Sequence, residues 1–118
     1  MKRLSFAGLV VALGFLLATA TAAVAAKPTA AVAAAAGCST LVYSWSAQPK
    51  ARTAEFRIHH FGIFETSRRL GPVGPAGSFQ MPADVSFLAG DQYTVLGVLL
   101  DSAGRSISPS GAVWWGTC

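Results

Sequence analysis

From residue 40 onward the chain alternates apolar and polar positions with period two, the pattern of strands that bury one face. Leu41, Tyr43 and Trp45 alternate with Val42 and Ser44. A polar loop over residues 46–53, with Pro49 and Lys50, separates them from a second run at 54–61, where Phe56 and Ile58 alternate with Glu55, Arg57 and His59. Gly62 breaks that run, and 63–69 predicts a shorter, more exposed strand. The stretch GPVGPAG at 71–77 is a loop, since two collagen-like triplets cannot hold a triple helix. Residues 78–81 restart an extended segment that Pro82 stops. The longest β-like run, 93–100, lies between a turn at Ala89-Gly90-Asp91 and a hairpin signal at 101–104. A last strand runs broken from Ser106 through Pro109 to Trp115. Short strands with turns at this spacing predict an all-β sandwich of six to seven strands.

The chain before residue 40 reads differently. Lys2 and Arg3, an apolar run at 4–17, and small residues ending in Ala23-Val24-Ala25 have the composition of a secretory signal over 1–26. Residues 27–37 are an Ala-rich leader or a weak first strand, and 38–118 form the sandwich domain. Two cysteines, Cys38 and Cys118, in an exported chain read as one disulfide. A rival reading makes Cys38 the end of a lipoprotein box, Ala35-Ala36-Gly37-Cys38. Against it, Ala replaces the usual Leu three positions before the Cys, and Lys27 and Pro28 separate the box from the apolar run. The expected membrane contact is therefore through the signal alone.

Charge narrows the partners. The 118 residues carry nine Lys/Arg and five Asp/Glu, and two of the basic residues leave with the signal. The rest are scattered apart from Arg68-Arg69, without the basic stripe of a nucleic-acid binder. There is no Asn, hence no N-glycosylation site. The Ala/Gly-rich, Arg-over-Lys composition points to a bacterial source.

The segment 87–104 carries a family resemblance. Phe87-Leu88-Ala89-Gly90-Asp91-Gln92-Tyr93 is similar in spacing to the corner before the sixth strand of fibronectin type III domains, Leu-x-Pro-Gly-x-x-Tyr. Tyr93-Thr94-Val95, the Asp101…Gly104 hairpin and Ser108-Pro109-Ser110 continue it, and Leu41 to Trp45 and Phe56 to Ile58 fit earlier strands. The resemblance spans about residues 39–118 and implies a Greek-key, immunoglobulin-like sandwich. It makes Tyr93 a tyrosine-corner residue bonded back to the preceding turn, and Trp45 a core aromatic with Phe56, Ile58 and Val95. It also places Cys38 and Cys118 at one end of the sandwich. The chain departs from the family in its disulfide, in its obscure first strand, and at Gly97, where Val is usual. An inward Gly97 leaves room for an indole, Trp45 or Trp115.

Catalytic chemistry is not legible. His59 and His60 point to opposite faces of a strand and cannot easily chelate one metal. Neither a nucleophile elbow nor a phosphate loop is present, the acids are scattered, and no cofactor motif occurs. The sharper signal is apolar content on the outer face. With Tyr93, Val95 and Gly97 inward, Leu96, Val98 and Leu100 point outward, beside Arg57, His59 and Phe61 and one of the two adjacent tryptophans, Trp114. A register-shifting bulge or cover by the N-terminal segment would remove that surface. The expectation is a secreted, non-catalytic binding module of the envelope or medium, with a protein, cell-wall or glycan partner. The alternative is a small hydrolase inhibitor presenting the 46–53 or 71–77 loop.

Overall fold

The computed structural model describes residues 26–108 and 110–118, so all of the expected secretory signal but Ala26 lies outside the described residues, as does Pro109. Seven strands follow in chain order: β1 (Thr29–Ala34), β2 (Leu41–Ser46), β3 (Thr53–His60), β4 (Ile63–Leu70), β5 (Gly77–Gln80), β6 (Gln92–Leu100) and β7 (Ala112–Thr117). They form two antiparallel sheets, ordered β1-β2-β5 and β4-β3-β6-β7, that pack face to face around one core.

The period-two pattern sets that core. Leu41, Tyr43 and Trp45 from β2 meet Ala54, Phe56 and Ile58 from β3 and Tyr93, Val95 and Leu99 from β6, all buried. Tyr43 lies at the centre, its ring centroid 5.2 Å from Trp45 and 6.4 Å from Phe56, which packs in turn on Phe79 at 4.9 Å. Its hydroxyl donates to the Ser110 carbonyl at 2.7 Å. Burial pushes the phenol up to about 12, against a smaller lowering by that bond.

The structure decides one open expectation and revises three others. Of its two readings, leader or weak first strand, the Ala-rich segment takes the strand: β1 pairs with β2 from Thr29↔Ser46 to Ala34↔Leu41. Ala has little β-propensity of its own, and the partner strand supplies the order. β4 is as long as β3, not shorter. The last strand is confined to Ala112–Thr117; upstream, Ser106 makes only an isolated bridge to Leu100. The ring that fills the space over Gly97 is Tyr43, not an indole. A Cβ built on Gly97 would stand 2.5–2.8 Å from three Tyr43 ring atoms.

Two turns and the disulfide close the β6 end regions. Asp101 Oδ1 accepts from the Ala103 and Arg105 amides at 2.9 and 3.0 Å, and the Arg105 N–H holds the carboxyl below its ordinary range. At the opposite end of β6 the Tyr93 hydroxyl accepts the Leu88 N–H at 2.9 Å, and the Phe87 ring stands edge-on to Tyr93 at 5.0 Å. Cys38, in a single 3-10 turn before β2, is bonded to Cys118 just after β7, with Cα atoms 5.6 Å apart and a separation of 80 positions in sequence.

Candidate interaction face

The outward side chains of the four-stranded sheet fall into rows, because antiparallel register puts residues from all strands opposite one another. The first row is Phe64–His59–Thr94–Trp115, one residue each from β4, β3, β6 and β7. It spans three strand spacings, about 14 Å. Trp115 is 68% exposed and Phe64 55%, and the Phe64 ring meets the His59 imidazole edge-on at 5.6 Å. His59 Nδ1 is buried without a hydrogen-bond partner. The second row is Ser67–Arg57–Leu96–Val113, with Val113 exposed and Leu96 half-buried.

The third row, Arg69–Glu55–Val98, is charged. Glu55 is buried on the outer face of the sheet and accepts from Arg57 Nε at 2.6 Å and Arg69 Nε at 2.7 Å. Burial opposes its ionisation, but the Arg69 and Arg57 bonds outweigh burial and hold the carboxyl below its ordinary range. A depressed carboxyl contributes stability that is present above the unfolded-state value, about 4.3 for Glu, and is lost as pH falls through the folded-state value. Acid unfolding followed at several pH values below about 4.5 is therefore expected to show a shallower loss of stability in Glu55→Gln than in the wild type. Equal slopes would show that the pair contributes nothing to folding.

Of the seven residues expected on this face, four share it: Arg57, His59, Leu96 and Val98. Val98 and Leu100, however, are only 7% and 2% exposed and offer no surface. Trp114 is on the other side. Its register partner is the inward Val95, and it packs against the core, so the exposed indole is Trp115. Phe61 is not on the strand face. It sits with Gly62 in the β3–β4 turn, both at positive φ (50° and 80°), which is the two-residue hairpin geometry. Phe61, Ile63 and Phe64 make an apolar tip, the first two 61% and 72% exposed. A register shift between Ile58 and His59 inserts one extra residue in β4 and puts Phe64 opposite His59. That shift brought Phe64 into the first row; sequence spacing alone gave no sign of it.

The two loops that are candidates for an inhibitory segment are hydrogen-bonded to each other, and most of 71–77 is exposed. Gln48 N donates to the Pro75 carbonyl, Val73 N to Arg52, and the Trp45 indole to Gly74. Gln48 and Ala51 are buried.

Histidine 60 points away from His59, as alternation requires. Its nitrogens lie 3.0 Å from Glu65 Oε2 and 2.9 Å from Asp91 Oδ2. Among the described residues no three His, Cys, Asp or Glu side chains are grouped to hold a metal ion, and no helix is long and apolar enough to cross a membrane. No protein-family model matches the chain, and no curated protein or solved structure matches it either.

Proposed function

We propose that the protein is a secreted, non-catalytic binding module of fibronectin type III-like, Greek-key architecture that engages a protein or cell-wall glycan partner through the outer face of its four-stranded sheet. One observation carries the reading. The face presents an aromatic and aliphatic surface, Phe64, Leu96, Val113 and Trp115, on the strands and not on a mobile loop, beside an ion-paired arginine row. Apolar surface gathered in this way, with polar groups at its border, is characteristic of partner surfaces. The architecture is supported by the strand orders, by the Tyr93 hydroxyl bonded back to Leu88, and by the first-row register. The disulfide is compatible with export.

The inhibitor reading retains two supporting observations, the exposed 71–77 loop and the exposed apolar β3–β4 tip. A single comparison separates the readings. Immobilised wild-type protein is expected to retain a partner from the producing cell's medium or envelope, and Trp115→Ala/Val113→Ala, both on the face and away from the tip, to lose it with an unchanged melt. Exposed substitutions of this kind usually shift stability by no more than about 0.5 kcal/mol. Retention by that variant together with loss in Phe61→Asn would favour the tip and overturn the face.

A further inference from the structure

His60 ends β3 between two aromatic rings. The Tyr93 ring lies 4.4 Å away and nearly parallel at 6°, and the Phe61 ring 4.8 Å away at 25°. Both imidazole nitrogens face carboxylate oxygens, Nδ1 that of Glu65 from β4 and Nε2 that of Asp91 from the turn before β6. A neutral imidazole has one N–H. It can donate to one carboxylate but must turn a lone pair toward the other, whereas the imidazolium donates to both. The arrangement therefore fits the protonated ring.

What it supports is the exposed turn at the end of the β3–β4 ladder. Phe61 has φ +50°, which a non-glycine residue seldom adopts. It occupies a turn position that ordinarily takes Asn, Asp or Gly, and its ring rests on His60. Ile63 and Phe64 beside it are largely exposed and add little packing.

We propose that His60 is a proton-dependent latch. Its imidazolium, tied to Glu65 and Asp91, holds the apolar tip of Phe61, Ile63 and Phe64 in shape, and loss of the proton loosens that tip. The groups that face it are the Glu65 carboxylate, the Asp91 carboxylate and the Tyr93 ring; its hydrogen-bond partners include no basic side chain. Cys118, whose N–H donates to the Asp91 carbonyl, is disulfide-bonded. The sign follows from the charges. The latch is closed while the imidazole donates from both nitrogens, and it opens when one of those protons is lost, so opening rises with pH. This holds whatever partner the outer face takes.

The test is amide hydrogen exchange at residues 61–65, compared between about pH 5.5 and about pH 8 after correction for the chemical pH dependence of exchange. Local opening is expected to become about tenfold more frequent at the higher pH, since the charge-assisted bonds are partly open to solvent. In Glu65→Gln the amide can donate to the bare nitrogen of the neutral ring, so the rise is expected to shrink to about twofold or less. Asp91→Asn serves by the same reasoning if Glu65→Gln fails to fold. His59→Gln is expected to keep the tenfold rise. The latch is overturned by a flat wild-type profile, by an unchanged rise in the amide variant, or by loss of the rise in His59→Gln.

Discussion

Gly97→Ala is expected to lower stability by about 3 kcal/mol, the upper end of the range for overpacking a core. The added methyl would fall 2.5–2.8 Å from three atoms of the Tyr43 ring. The ring has no room to retreat. Its hydroxyl is held by the Ser110 carbonyl, Trp45 lies against it, and it is wholly buried. In a domain of this size the loss corresponds to a fall in Tm of roughly 15 °C. A Tyr43→Leu background tests the cause. With the ring gone, Gly97→Ala is expected to cost about 1 kcal/mol or less, so a double-mutant cycle should show strong coupling. Full additivity would mean that the backbone of β6, and not the ring, makes glycine necessary.

That contact marks the limit of what could be read from the chain. Alternation placed Gly97 on the inner face, and this is where it lies, opposite Phe56. The ring above it comes from β2, fifty-four positions earlier, in the other sheet. No local pattern encodes how two sheets are offset, so two tryptophans were natural but incorrect candidates. The tryptophan pair shows the same limit at closer range. Alternation requires Trp114 and Trp115 to face opposite ways but does not say which is inward. The pairing of β7 with β6, Val95↔Trp114, decides it, and the irregular chain before Ala112 hides that register from sequence.

The outer face was legible on β3, where polar and apolar residues alternate, and on β6 by counting in twos from Tyr93, and illegible at β4. There the shift opposite Ile58 and His59 moves Phe64 outward and leaves Glu65 free to reach His60. Alternation correctly separated His59 from His60, but their partners come from three other segments. β1 was obscured for a further reason. Alanines carry almost no periodic signal, and only pairing with Leu41–Ser46 gives them a register.

The Cys38→Ser/Cys118→Ser double variant is expected to show the largest loss of all, about 4.5 kcal/mol in the chain-entropy treatment of a loop of about 80 residues. Most of that acts on the unfolded chain. The bond joins the start of β2 to the end of β7, so it closes nearly the whole sandwich into one ring. Without it the unfolded ensemble expands, and urea unfolding should show a steeper denaturant dependence as well as a lower midpoint. The folded state should change little. Cys118 is also held by its N–H to the Asp91 carbonyl, and the β6–β7 ladder runs to Gln92↔Thr117. Fraying is therefore expected only at the last residues of β7. Small domains commonly have 5–15 kcal/mol of net stability, so the variant should fold at low temperature but with a small margin. A loss below about 1 kcal/mol, with an unchanged denaturant slope, would show that the strand ladders alone fix the ends of the chain.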